Sequence, residues 1–591
     1  MLAWALPFAA LGLYAWTARS VFSARPLLID EIVQLFQARI FASGHVWLPV
    51  APHREFFSIL HVVDTGDKVY SQFPPGGPAM LALGDLVHAS WLVGPVCGAA
   101  SVALFARIVR YTDPDSSAAF RLGATVLFAI APFGAFMFSS HMNHATALMW
   151  VLLAVVGLAR AAHRSGSSTL DSKVSSALCG LGLGVAATIR PLDGFAFALP
   201  AAMWLIALAL RDRSRWVDVL AAGAGVALPF GAMMWVNAET TGSPLLFGYE
   251  VLWGKAHGLG FHVAPWGAAH TPSRGLELIS LYVTRLQTYL FETPFPALLP
   301  AIAALGMTRK LGALDRYLLV SATLLGGLYF AYWHDGFFLG PRFVFPWLPV
   351  MVLWTARLPG MIPRGTLSIG VNAALATGVV MACVFSLPVR VTQYRNGLTS
   401  MRVDYTAEAR RAGVNHALVF VRESWGAQIV ARMWALGVSR SAAAALYANV
   451  DACALDKALR ALEDDAVRND AAEHRLAPLL VDSARVRSSP FSPDSTEKLL
   501  PGALFYDRSC IARIEDDRAG YTHLAPLLLE HGNGNVYARD LQGRDSLLLA
   551  EYPTRPVFLF RRTAAAADAP YEWLRLSRDS VIARWRRVDN Q

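Results

Sequence analysis

Asp30 and Glu31 are adjacent carboxylates that follow an apolar run at residues 2–18. Apolar residues at 32, 35, 36 and 40 come next, the spacing of an amphipathic helix on a membrane surface with both acids at its N-terminal end. Two chemistries suit that placement. Asp is a good helix N-cap and Glu in a first turn complements the helix dipole, and neither role involves catalysis. A carboxylate at a lipid–water boundary is also partly desolvated, which moves its pKa toward the range of a general base.

Other polar residues stand where apolar runs end. The turn at 139–144 (Ser-Ser-His-Met-Asn-His) carries His144, the turn at 189–194 carries Arg190 and Asp193, and the stretch 332–343 carries His334, Asp335 and Arg342. Ionisable groups at this depth are costly and tend to face a cavity or a ligand. Arg190 either pairs with Asp193 or presents its guanidinium fork to an anionic group. Arg342 follows Gly340-Pro341 among aromatics, which suits a phosphate beside an apolar tail or, alternatively, one interfacial Arg in an aromatic belt. Tyr70 opens the stretch Tyr-Ser-Gln-Phe-Pro-Pro-Gly-Gly-Pro at 70–78, whose prolines and glycines fit a rigid helix entry better than a substrate role. His144, Tyr70, His334 and Asp335 are the candidate substrate contacts.

The loop at 237–293 holds Tyr249, Trp253, His257, His262, Trp266 and His270. Aromatics with sparse cations suit a sugar or lipid surface, and histidines this widely spaced follow no tight metal pattern. No metal ligand and no cofactor is assigned, and a divalent metal has no support in the spacing. A phosphate loop of the G-x-x-x-x-G-K-[ST] type, an H-E-x-x-H pair and a C-x-x-C pair are all missing, so ATP-driven transport and zinc peptidase chemistry lose their simplest signatures.

The elements that must position these groups are transmembrane helices. Of 591 residues, 55% are hydrophobic and 16% charged, well below the roughly 25% charged residues of soluble domains. Apolar runs near 2–18, 79–106, 122–140, 143–159, 175–189 and 194–210, then 216–236, 294–307, 317–333, 343–356 and 366–388, predict about eleven spans. Basic residues sort to alternate loops: Arg107, Arg110 and Arg121; Arg160, Arg164 and Lys173; Arg211, Arg213 and Arg215; Arg309, Lys310 and Arg316; Arg357 and Arg364. These loops are expected inside, with the loops 19–78 and 237–293 and everything after Pro388 outside.

Of 43 acidic residues the first 400 positions hold only 18, and beyond 390 short strand-like and helical runs alternate. The expected architecture is a polytopic α-helical membrane protein, residues 1–390, with an extracytoplasmic α/β domain at 391–591. Cys453 and Cys510 are the two cysteines of that domain, in a compartment where disulfides persist, and a Cys453–Cys510 bridge is expected. The net charge of +9 is scattered over loops and a mixed-charge C-terminal region, so nucleic acid is not an expected partner.

Asp30-Glu31 after a first span, a loop ending in Pro74-Pro75-Gly76, His144 at the next outer turn, Arg190-Pro191 and Gly340-Pro341-Arg342-Phe343 together resemble the bacterial multi-spanning glycosyltransferases of GT-C type. That group includes the protein O-mannosyltransferases and the aminoarabinose transferase of lipid A modification, and the similarity covers about residues 1–390. The resemblance implies a sugar donor carried on polyprenyl phosphate, Asp30 as catalytic base with Glu31 as its neighbour, and Arg342 and Arg190 near the donor phosphate. It implies inverting transfer of a hexosyl or pentosyl group to an extracytoplasmic lipid, glycan or protein at the inner (plasma) membrane. The competing class is a transporter or flippase for a lipid-linked or small anionic solute, which accounts less well for the long first outer loop and the large C-terminal domain.

Overall fold

The computed structural model describes residues 2–163, 169–265, 269–397, 402–450, 452–482, 524–529, 534–563 and 569–589. Arg164, Trp266 and Cys510 lie outside the described residues.

The chain opens with α1 (Leu2–Ser20) and then a structured loop. That loop contains α2 (Ile29–Ala42), the strands β1 (Leu48–Pro49), β2 (Val62–Asp64) and β3 (Lys68–Ser71), and α3 (Gly76–Asp85). The strands form an antiparallel sheet in the order β1-β3-β2. Next come α4 (Val93–Thr112), α5 (Ala118–Ile130), α6 (Pro132–Phe138), α7 (Asn143–Ala162), α8 (Thr169–Ile189), α9 (Pro191–Arg211) and α10 (Trp216–Thr241). A second long loop holds α11 (Gly248–Trp253) and leads to α12 (Pro272–Tyr289), α13 (Leu299–Met307), α14 (Ala313–Phe330), α15 (Leu348–Met361), α16 (Thr366–Met381) and α17 (Leu387–Asn396).

Among the described residues six helices are long and apolar enough to cross a membrane: Ser90–Thr112, Asn143–Ala162, Leu170–Ile189, Pro191–Arg211, Arg213–Thr241 and Thr366–Asn396. A seventh is obtained if α5 and α6, bent by 57° where Pro132 starts a new helix, count as one broken span. The chain is therefore a multi-pass membrane protein, and of the eleven expected spans six or seven are matched by helices of full length and hydropathy. The remaining apolar runs form α1, α13, α14 and α15, which fall short in length or hydropathy; α13 has only 9 residues. The last long helix also runs past the expected domain boundary at 390, to Asn396.

Beyond it lie α18 (Tyr405–Arg411), α19 (Trp425–Ala435), α20 (Arg440–Asn449), α21 (Ala452–Asp464) and α22 (Asp470–Asp482), beside a four-stranded sheet. In that sheet β4 (Leu418–Val421) runs parallel to both β5 (Val536–Arg539) and β6 (Val557–Arg562), and β7 (Tyr571–Leu576) pairs antiparallel with β6. All four residues of β4 are buried, as a central parallel strand covered on both faces requires. Cys453 on α21 is disulfide-bonded, whereas Cys97, Cys179 and Cys383 are free.

The amphipathic helix α2 does not lie on a lipid surface. Ile32 and Val33 pack into one core with Val403, Tyr405 and Phe560, while Leu35 and Ala38 pack against Leu81 and Ala82 of α3. Its faces are thus covered by α3 on one side and by the C-terminal region on the other.

Arginines of the C-terminal region fasten the first loop by its backbone. Arg539 donates to the carbonyls of Glu55 (2.9 Å) and Ser58 (2.8 Å), and Arg440 donates to that of Val62 (3.0 Å). Arg539 is itself held by Glu423 at 2.6 Å, so its buried charge is compensated.

Candidate active site

Five of the residues singled out by the sequence line one cavity of about 270 Å³: Asp30, His144, Arg190, His334 and Arg342. They come from four separate stretches of chain. Asp30 stands in the first turn of α2, His144 in the first turn of α7, Arg190 at the N-cap of α9, and Arg342 at the start of the short helical turn Arg342–Trp347 that leads into α15.

Two glycines let these elements meet. A Cβ on Gly76 would sit 2.7 Å from the Thr188 backbone, so the Pro-Pro-Gly entry allows α3 to close on the end of α8 beside Arg190. Gly340 has φ +128°, and a Cβ there would sit 2.7 Å from the Phe133 ring. Only glycine makes that turn and delivers Arg342 to the cavity.

Asp30 is not the helix cap. The N-cap position is Leu28, and the capping is done by Glu31, whose carboxylate accepts the backbone N–H of Leu27 (2.6 Å), Leu28 (3.1 Å) and His141 (2.9 Å). Burial pushes the Glu31 pKa up to about 7 against those three donors. Asp30 instead places Oδ2 3.0 Å from Nη1 of Arg342, and its Oδ1 lies 3.7 Å from Nε2 of His61. Burial alone would raise the Asp30 pKa, but the Arg342 guanidinium, helped by the His61 and His334 rings, outweighs it and holds the carboxyl below its usual value.

Arg190 pairs with Asp193 at 2.7 Å and also donates to the Tyr329 hydroxyl at 2.6 Å, which in turn donates to Asp193 at 3.0 Å. The pairing read as an alternative to anion binding therefore exists, and Arg190 still lines the cavity. The guanidiniums of Arg190 and Arg342 each lie 5.5 Å from the centroid of the Phe343 ring, which stacks on Tyr329 at 4.8 Å. Both cations thus border the same aromatic ring.

Several buried polar atoms here are unsatisfied. Both ring nitrogens of His144, Nε of Arg342 and Oε1 of Gln34 have no hydrogen-bond partner. Such atoms are costly unless something else meets them, and they face the same cavity. His334 and His257, on the facing wall, are pushed down by burial to about 4 and about 3 and are neutral at neutral pH.

Two sequence candidates lie elsewhere. Tyr70 is buried in a separate apolar cluster with Val63, Leu252 and Trp253. Asp335 forms an ion pair with Arg285, its side chain 38% exposed, and does not line the cavity. Conversely, the sequence reading missed His61, an isolated His with no periodic signal, and Tyr329, which reads as core inside an apolar helix. Among the described residues no group of three or more His, Cys, Asp or Glu could hold a metal ion.

No family model and no curated protein matches this chain. Among solved structures it is similar to ArnT from Cupriavidus metallidurans bound to undecaprenyl phosphate, with 12% identity and a TM-score of 0.46 over 96% of this chain and 97% of that one. It is also similar to the Archaeoglobus fulgidus oligosaccharyltransferase tethered with an acceptor peptide, with 11% identity and a TM-score of 0.40 over 79% and 68% of the two chains. The Saccharomyces cerevisiae protein O-mannosyltransferase Pmt1-Pmt2 complex bound to its sugar donor is similar over 45% of this chain and 36% of that one, with 16% identity and a TM-score of 0.29.

Proposed function

We propose that the chain is a membrane glycosyltransferase that moves a sugar from a polyprenyl-phosphate donor to an acceptor on the extracytoplasmic side, with inversion at the anomeric carbon. The observation that carries this reading is the pairing of an ionised carboxylate, Asp30, with a buried arginine, Arg342, whose Nε–H has no partner, in one cavity.

In this reading Asp30 takes the proton of an acceptor hydroxyl or amine as the acceptor atom bonds to the anomeric carbon. The bond from that carbon to the phosphate oxygen breaks, and the polyprenyl phosphate leaves with the electron pair. Arg342 and Arg190 offset the charge that develops on the leaving phosphate. Aromatic rings of Tyr249, Trp253, Tyr332 and Phe343 supply faces for the sugar.

The same geometry couples donor binding to basicity. In the free protein Arg342 lowers the proton affinity of Asp30. A donor phosphate that engages Arg342 shares that positive charge, and Asp30 becomes a stronger base once the donor is in place. His144 stands among the groups that a phosphate or sugar hydroxyl would satisfy. The C-terminal region faces the same side and completes the first loop.

The test is incubation of purified protein in lipid nanodiscs with a radiolabelled polyprenyl-phosphate sugar and candidate lipid, glycan and peptide acceptors. Label transferred to an acceptor supports the reading. Movement of intact donor across proteoliposomes without transfer would replace it by transport.

A further inference from the structure

His61 lies beside Asp30, and its protonation is fixed by two residues behind it. The indole N–H of Trp253 can only donate, and it donates to Oε1 of Gln72 at 2.7 Å. That contact orients the Gln72 amide, so its nitrogen faces His61, with Nε2 of Gln72 2.7 Å from Nδ1 of the ring. An amide nitrogen has no acceptor capacity, so Nδ1 must be the accepting nitrogen. A neutral imidazole then carries its proton on Nε2, the atom 3.7 Å from Oδ1 of Asp30. Protonation on both nitrogens would set two donors against each other across the 2.7 Å contact.

The backbone holds the ring in place. His61 has φ +67°, a left-handed conformation uncommon for a side chain of this size. Its carbonyl accepts the Gln72 N–H at 3.0 Å, and the next carbonyl, that of Val62, accepts from Arg440 at 3.0 Å. The ring lies between those of Phe73 (5.9 Å) and Trp253 (6.3 Å). The charged and titratable groups around it are Asp30 on α2, Arg342, Arg440 from the C-terminal region, and the His257 and His334 rings. Burial is the largest influence and keeps the imidazole neutral.

We infer that His61 is a positioning residue for Asp30, locked by Gln72 and Trp253 as the tautomer with its proton on Nε2, so that an N–H always faces Oδ1 while Arg342 holds Oδ2. This rests on the reading of Asp30 as base. Its contribution is to keep the carboxylate ionised and in one rotation. A contact of 3.7 Å is longer than a hydrogen bond, so in the free protein the N–H acts on Oδ1 through its dipole.

The decisive substitution is Gln72→Glu, which is nearly isosteric and reverses the lock. A carboxylate there accepts from Nδ1–H, and the neutral ring then turns a lone pair toward Asp30. Transfer should fall about tenfold to a hundredfold at neutral and alkaline pH, the size of effect that losing an outer partner has in metal sites. It should recover on acidification, when the ring takes a second proton on Nε2. Independently of activity, ¹⁵N spectra of imidazole-labelled protein, with His61 assigned from a His61→Gln sample, should show a protonated Nε2 and a bare Nδ1 from about pH 6 to 8. In the Gln72→Glu protein that assignment should invert wherever transfer is depressed and become doubly protonated only over the acid range in which transfer recovers. Because the spectra need no donor, they stand even if no transfer is detected. A wild-type His61 protonated on Nδ1, or one that titrates to imidazolium in that range, would overturn the proposal, as would an unaltered pH profile of transfer in Gln72→Glu.

Discussion

Asp30 and Glu31, neighbours in the chain, send their carboxylates into different surroundings: Asp30 meets Arg342 at 3.0 Å in the cavity, and Glu31 turns back to accept three backbone N–H groups. One acid is thereby available for chemistry and the other is consumed by the fold. The two roles can be separated by substitution.

Asp30→Asn keeps the size and polarity of the side chain and does not disturb the cap, which Glu31 supplies. The fold is expected to persist, with the melting temperature lowered only as far as the loss of the Arg342 counter-ion requires, while transfer falls at least about a hundredfold. Retention of most activity in an assay with a defined donor would move the base elsewhere in the outer loops.

Glu31→Ala should act in the opposite sense, chiefly on stability. It leaves the N–H groups of Leu27, Leu28 and His141 without their acceptor, at about 1–3 kcal/mol for each such buried group. The folded-state pKa of about 7 lies above the ordinary value of 4.5, so between those values the folded protein holds a proton that the unfolded chain has released. The stability this group contributes is therefore present below about pH 4.5 and lost as pH rises toward 7. Melting temperatures at pH 5 and pH 8 should differ less in Glu31→Gln than in wild type.

Arg342→Lys retains the charge and loses the planar fork. Donor affinity is expected to fall while the fold persists, and wild-type affinity would return Arg342 to an aromatic-belt role. The coupling to Asp30 adds a kinetic signature. The acid limb of kcat, which reports the donor complex, should lie at higher pH than that of kcat/KM for the donor, which reports the free enzyme with Arg342 on Asp30.

Asp193 is 1% exposed and compensates Arg190 together with the Tyr329 hydroxyl. Asp193→Ala leaves an uncompensated buried charge and should destabilise the protein by about 3–5 kcal/mol. Tyr329→Phe, which removes one hydroxyl, should cost far less, and equal losses in the two variants would show that the ion pair is not the dominant contact.

A phosphatase fused after residue 400 should be active, since the basic-loop bias places the C-terminal region outside. Non-reducing peptide mapping of the same protein should find Cys453 joined to Cys510. An inactive fusion would reverse the orientation of every loop.

The cavity residues Asp30, His144, Arg190 and Arg342 were legible because each is an ionisable group placed where an apolar run stops, and hydrocarbon tolerates few of those. His61 was not legible. Its significance comes from Gln72 and Trp253, one 11 and the other 192 positions away, and no local pattern announces such a set. The apolar face of α2 was read correctly as a stripe but assigned to lipid. A periodicity states that a face is covered without naming the cover, which here comes from residues beyond 400. The apolar runs at 294–307 and 317–333 do form helices, α13 and α14, but α13 is only 9 residues long and α14 carries Asp315 and Arg316 in its first turn, so length and hydropathy do not by themselves mark them as spans.

The grip of Arg539 and Arg440 on the backbone of residues 55–62 has a consequence for how the protein is made. A ribosome delivers the first loop hundreds of residues before it delivers the side chains that seat it. The membrane helices can insert in order, but the loop that carries His61 must wait, unfastened, until the final stretch of chain has emerged and folded. A chain cut short after Asn396 would then reach the membrane with its first loop unseated and the wall of the cavity that carries His61 incomplete.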